Sequence, residues 1–358
     1  MSLKTIARFV PVFVALAVLG GCGGYGTYPS GQGQRFALVA NYFSNDVSSY
    51  GVDSMTGQLT LKDTVPTGGT NSRNLAVEPS GRFAYVANLT SNNISIFAVD
   101  GSTGALQMVG SPVLANGGPR FLAVGPTGNL LYVVNEHADN VSAFSINPNT
   151  GALTELSGSV PADAAPVALS FHPSGRFAYV VNAGSGDITI YRVDNSGALA
   201  LLGAAPGLSN PTSITIHPSG KFAYVPNFGS NDITVFSVNA TSGALNPLPA
   251  RVAAGGGPTL VTVDSQGRFA YVANALAGNV SVFAIDGTTG NLTPASTASA
   301  GGNPVALTLD PTGRFAYVAN LESNDVTQFS VDPTTGALTP LGPPVNAGSG
   351  PVWFAFTR

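Results

Sequence analysis

Arg314-Phe315-Ala316-Tyr317-Val318-Ala319-Asn320 is a short run of alternating bulky and small residues, with one charge at its start. The phrase or a close relative recurs, ending at Asn41, Asn88, Asn135, Asn182, Asn227, Asn274 and Asn320, at intervals of 47, 47, 47, 45, 47 and 46 residues. Self-similarity at a fixed period of this length marks a repeat architecture. Working outward from Asn320, the polar corner Glu322-Ser323-Asn324-Asp325 leads to a second apolar run, Val326 to Val331. Asp332-Pro333-Thr334-Thr335-Gly336 then turns into a short run from Ala337, and the preceding run, Val305 to Leu309, follows Pro304. Apolar and small residues alternate, the turns carry Gly, Pro, Asn and Asp, and no stretch has a helical period. Four antiparallel strands in about 46 residues make one propeller blade. Seven such repeats predict an all-β, seven-bladed β-propeller over residues 35–358.

The two ends predict how the ring closes. The first copy begins at Arg35 with no strand before it, and the last repeat is followed by Pro351-Val352-Trp353-Phe354-Ala355-Phe356. That segment matches the Pro-led first strand of the other repeats and is expected to complete blade one.

Residues 1–21 read as an address. Lys4 and Arg8 precede an apolar run, Phe9 to Leu19, that is too short to span a bilayer. The run ends in Leu19-Gly20-Gly21-Cys22, which looks like a bacterial lipoprotein signal with the Cys22 thiol as the lipid acceptor. Residues 22–34 continue as a Gly-rich, polar tether. The expected location is extracytoplasmic, lipid-anchored to the cell envelope, with the outer membrane as destination if the source is Gram-negative. The lipid is the expected membrane contact.

Composition narrows the partners. Of 358 residues, 14 are Lys or Arg and 18 are Asp or Glu, a net charge of −4, and no basic run occurs, which argues against nucleic acid. Charged residues make up 9%, against about 25% in an average soluble domain, while 44% are hydrophobic, enough for a core. A single Cys excludes an intramolecular disulfide and a zinc site built on several thiolates. The Asp residues of the corners, Asp46, Asp187, Asp232 and Asp325, lack the oxygen-rich spacing of a calcium loop and are expected to cap backbone N–H groups. No metal and no cofactor is expected.

Chemistry is sought where the repeat is broken. His172 and His217 occupy a turn register held elsewhere by Glu78, Asp264 and Asp310, and are expected to be structural. The basic residue opening most second strands, as at Arg82 or Arg268, is expected to be a solvated edge. At the second position of each first strand, after a Pro or, in blade two, after Ser72, blades four to seven and the closing strand carry Val167, Thr212, Thr259, Val305 and Val352, whereas blades two and three carry Arg73 and Arg120. After the repeated Asn, blade three alone has an acid, Glu136, followed by His137. The entry to a first strand and the exit of a second lie at the same end of a propeller channel, so these four side chains are expected to share one mouth. Arg73 and Arg120 would bind an acidic ligand, with Glu136 or His137 as general base. The plain alternative is a surface Arg120–Glu136 ion pair of little consequence.

The seven repeats, the RFAYVAN strand and the D-x-x-TGAL turn resemble the lactonase-like seven-bladed propellers, which include 6-phosphogluconolactonase and muconate cyclase. The chain is also similar to the Tyr-Val-Thr-Asn repeat surface propellers. In lactonase-like propellers a Gly-Pro-Arg-His string opens one blade and Asn-Glu ends its second strand. Here Gly118-Pro119-Arg120-Phe121 and Asn135-Glu136 match, with Phe121 in place of His. A later Pro-His of the family has Asn210-Pro211-Thr212 as its nearest counterpart. The resemblance implies a hydrolase that opens a small acidic lactone without metal at the channel mouth. The alternative is a non-catalytic scaffold binding an envelope protein or glycan. A quinone-cofactor dehydrogenase is a distant third, since those propellers repeat Trp motifs and this chain has one Trp.

Overall fold

Alternating apolar residues in short runs, punctuated by Gly and Pro, fold as the period of two demands. The computed structural model describes residues 35–156 and 158–357. Every regular element among them is a strand. Seven antiparallel sheets follow one another around a ring. Blade seven shows the plan, with Pro304–Leu309, Phe315–Asn320, Asp325–Val331 and an outer strand in two pieces, Leu338–Pro340 and Val345–Asn346. Blades one, four and six keep the outer strand whole, as Leu59–Pro66, Leu199–Pro206 and Leu292–Ser299. The second strands are buried along their full length, apart from the half-buried Arg35 that opens the one in blade one.

Closure follows the expected route. Pro351–Phe356 pairs antiparallel with Arg35–Asn41, in the register Val39 opposite Phe354. The strand also completes the turn chemistry of blade one: Phe36 N–H donates to Thr357 Oγ1 at 3.0 Å. Asp310 accepts the equivalent Phe315 N–H at 3.0 Å.

Each blade is fastened to the next by the residues that define the repeat. The Phe of one blade lies on the turn glycine of the following blade: Phe83 on Gly151, Phe177 on Gly243, Phe315 on Gly57. The Tyr two residues later donates its hydroxyl to the same glycine's carbonyl, Tyr85 to Gly151 at 3.0 Å and Tyr317 to Gly57 at 2.7 Å. The turn glycines adopt φ near +70 to +87°, a region other residues enter at a cost. The repeated Asn is equally structural. Asn320 Nδ2 donates to Asp325 Oδ1 at 2.7 Å and to Thr327 Oγ1 at 2.8 Å, and the other six repeats do the same with their own acceptors. The corner aspartates Asp46, Asp187, Asp232 and Asp325 therefore accept from a buried side-chain amide rather than capping backbone N–H groups, because the Asn ends its strand directly opposite them.

Blade five departs from the plan. Its first strand is reduced to Thr215–Ile216 plus an isolated bridge from Pro211 to Asn227. Pro226 takes the place of the Ala or Val in the other second strands. Thr212 N–H still reaches Pro226 O at 3.3 Å, but proline has no N–H to return the bond. Thr212 Oγ1 donates instead to Thr259 O of blade six at 2.7 Å.

Cys22 and the tether to Gln34 lie outside the described residues.

Candidate functional site at the channel mouth

Every first strand except that of blade five begins with a β-bulge. In blade three Pro119 pairs with Asn135 and Phe121 with Val134, so Arg120 is the extra residue. Arg73, Val167, Thr259, Val305 and Val352 are skipped in the same way in their blades. A bulge re-aims the side chain it inserts. All six, with Thr212, line one cavity of about 320 Å3 to which every blade contributes. This volume is within the range of small-molecule sites.

The structure thus brings Arg73 and Arg120 to adjacent positions on one wall. Arg120 Nη1 bonds Glu136 Oε1 at 2.6 Å, and both side chains are partly exposed. The strands are antiparallel, so Glu136 lies beside Gly118, and the bulged Arg120 side chain reaches back past the Pro119–Asn135 pair to meet it. Arg73 has a different neighbour: its guanidinium carbon lies 4.5 Å from the centre of the Tyr42 ring, and its Nε is buried without a hydrogen-bond partner. Burial and then the charge of Arg120 push the Arg73 guanidinium below its ordinary value, against smaller opposing effects of Tyr42 and Glu136. His137 is not brought to this wall. It is exposed, and its ring packs over Gly118, where a Cβ would stand 2.6 Å from Nδ1.

Below the bulge residues comes a second ring. Phe121 and Trp353, from blades three and one, meet edge to face at 5.2 Å between ring centres, so Phe121 is part of an apolar floor where the resemblance has an imidazole. Asn74, from the blade between them, and Ser213 of blade five also line the cavity. Sequence reasoning passed over both; the one available signal was Pro226, which loosens the strand that carries Ser213.

The turn histidines are far from this chemistry. His172 Nδ1 accepts the Ser174 N–H at 3.1 Å, which leaves Nε2–H to donate to Gly220 O of the next blade at 2.9 Å. His217 repeats the arrangement with Ser219 and Gly267. At the same turn register Arg82, Arg176, Arg268 and Arg314 lay their guanidinium groups over the Phe that follows, at 5.2–5.5 Å. Among the described residues no group of three or more His, Cys, Asp and Glu side chains is placed to hold a metal.

The sequence matches the lactonase seven-bladed β-propeller family over residues 31–118, 112–263 and 258–356. No curated protein matches it. Among solved structures it is similar to the proposed 6-phosphogluconolactonase of Bacteroides uniformis, with a TM-score of 0.82, 20% identity, and coverage of 91% of this chain and 100% of that one. It is also similar to the periplasmic gluconolactonase of Pseudomonas aeruginosa, with a TM-score of 0.79, 22% identity, and coverage of 90% and 99%. At these identities the two neighbours speak for the fold, and the family match covers every blade. Seven blades that each send a first strand to one cavity, on a chain matched from end to end of its propeller, make this protein a member of the lactonase family of seven-bladed β-propellers.

Proposed function

We propose that this propeller binds a small acidic lactone at the channel mouth and opens it by metal-free hydrolysis. The observation that carries the reading is the pair of arginines, Arg73 and Arg120, on adjacent blades of one cavity wall, with Glu136 held 2.6 Å from Arg120. The arginines take the carboxylate of the substrate and the charge that develops on the lactone carbonyl oxygen. Glu136 Oε1 accepts from Arg120, and the other carboxylate oxygen takes a proton from the attacking water. Water oxygen bonds the carbonyl carbon, the ring C–O bond breaks, and the leaving alkoxide takes the proton back from Glu136, giving the hydroxy acid. Membrane attachment through Cys22 belongs to the same proposal and is supported by Leu19-Gly20-Gly21-Cys22. It would hold the propeller outside the cytoplasm. Processed Cys22→Ser protein that still partitions into detergent would contradict it.

One observation favours a second reading, an envelope scaffold that binds its ligand or partner without turnover. No carboxylate or imidazole lines the cavity among the described residues, since Glu136 is engaged by Arg120 and His137 packs elsewhere. Ring opening measured by proton release over a panel of small lactones separates the two. Hydrolysis by the wild type and its loss in Glu136→Gln, with carboxylate binding retained, supports the enzyme. Carboxylate binding with no lactone opened supports the scaffold.

A further inference from the structure

Three buried polar atoms that find no hydrogen-bond partner among the described residues line the same cavity: Arg73 Nε, Asn74 Nδ2 and Ser213 Oγ. Asn74 is 1% exposed and Ser213 6% exposed. The Asn74 amide is oriented by Leu122, whose N–H donates to Oδ1 at 2.9 Å, so Nδ2 is held as a donor. A buried donor left unsatisfied costs about 1–3 kcal/mol, and two on consecutive residues of blade two, Arg73 and Asn74, describe the complement of an acceptor-rich group, with Ser213 lining the cavity from blade five. Arg120 already has Glu136, whereas Arg73 forms no ion pair with a carboxylate of the described residues, so Arg73 is the arginine whose charge a ligand neutralises.

Most of the rest of the cavity is apolar; Asn210, Thr212 and Thr259 also line it, and the two threonine hydroxyls already donate to backbone carbonyls. Val167, Ile214, Phe228, Val305, Leu321 and Val352 offer it no side-chain donor or acceptor, and the Phe121–Trp353 pair closes its floor. A polyhydroxylated ring placed there leaves hydroxyls stripped of water and unpaired, whereas a hydrocarbon ring gains from the same burial.

We infer that the ligand is a small carboxylate with an apolar body, its carboxylate held by Arg73 and Asn74 and its hydrocarbon part against Phe121 and Trp353. This rests on the proposal that the channel mouth is the ligand site, and it names the class of substrate that site accepts.

Trp353 is the protein's one tryptophan, so intrinsic tryptophan emission reports on the cavity floor. The test is titration of the full chain in detergent with phenylacetate and with gluconate, followed by fluorescence and by equilibrium dialysis. Phenylacetate is expected to saturate the signal and to bind about tenfold or more tighter than gluconate. Asn74→Asp keeps the acceptor for the Leu122 N–H and replaces the donor by an anion, and is expected to weaken phenylacetate about tenfold or more. Gluconate binding as tightly as phenylacetate, an unchanged affinity in Asn74→Asp, or binding of neither acid would overturn the assignment. Phenylacetate binding without opening of any lactone would overturn hydrolysis and leave this assignment standing. Opening of hydroxylated lactones with gluconate preferred would do the reverse.

Discussion

The ring of Phe315, in the last blade, rests on Gly57, in the first, so closely that a Cβ at Gly57 would fall 2.3 Å from Phe315 Cδ1. The same contact joins Phe36 to Gly104 and Phe222 to Gly290. The repeat is therefore read between blades as much as within them: the Phe of one copy is complementary to the missing side chain of the next. At Gly57 the backbone adds its own demand, since φ is +75°.

Gly57→Ala carries both penalties, about 1–2 kcal/mol for the left-handed backbone and about 1–3 kcal/mol for forcing a methyl against a packed ring. Gly101→Ala is the control, because nothing lies within 4 Å of its added Cβ and its φ is not in that region. Denaturant melts should show a loss of roughly 2–5 kcal/mol for Gly57→Ala and little change for Gly101→Ala. Equal midpoints for the two variants would mean that the contact at the seam contributes nothing.

Alkali should open the ring abruptly. Burial raises all of Tyr50, Tyr85, Tyr132, Tyr179, Tyr191, Tyr224, Tyr271 and Tyr317, Tyr50 and Tyr132 to about 12. The folded state holds these protons while the unfolded chain releases them near pH ~10. Their contribution is fully present below pH ~10 and is lost as pH rises toward the folded values, at about 1.4 kcal/mol per pH unit for each tyrosine. A spectrophotometric titration should show phenolate appearing in one steep step that coincides with loss of sheet signal. A shallow titration at pH ~10 with the fold intact would contradict the burial argument.

His172 sets an acid-side counterpart. Burial pushes its imidazole below the ordinary value, since the charged form is disfavoured there. Between the folded value and the unfolded value of about 6.5, the unfolded chain binds the extra proton, so the stability contribution is present above pH ~6.5 and lost as pH falls. His172→Asp places at this turn the residue that Asp264 provides for Arg268 and Phe269 in blade six. It should fold, lose about 1 kcal/mol with the bond to Gly220, and show a shallower loss of stability from pH 7 to pH 5. Carboxylate binding at the mouth should be unchanged.

The blade count, the strand order and the closing strand were all legible from the spacing of Asn41 to Asn320 and from the Pro-led runs, because closed repeats leave few alternatives. What the repeated residues do was less legible. Asn320 and Gly57 look like turn residues in one dimension, and their partners, Asp325 opposite and Phe315 in another blade, appear only when sheets are paired and stacked. The bulge at Arg73 and Arg120 depends on how two strands slip past each other, which side-chain pattern alone does not encode. His137 was grouped with Glu136 by adjacency, yet neighbours along a chain leaving a strand diverge, and the ring packs over Gly118. Asn74 lacked any mark in the sequence, and Ser213 had only the indirect one of Pro226, because unsatisfied donors are defined by what fails to approach them.

The central claim is that the arginines of blades two and three recognise the carboxylate of a lactone, and the most direct measurement is a charge comparison on one ring. Values of kcat/KM for γ-carboxy-γ-butyrolactone and for uncharged γ-butyrolactone should be obtained with the wild type and with Arg73→Ala. The wild type should favour the charged lactone by about tenfold or more, as expected for a charge-assisted hydrogen bond. Arg73→Ala should erase that preference by slowing the charged substrate alone. Equal kcat/KM for the two lactones in the wild type, a preference that survives Arg73→Ala, or opening of neither ring would contradict the account.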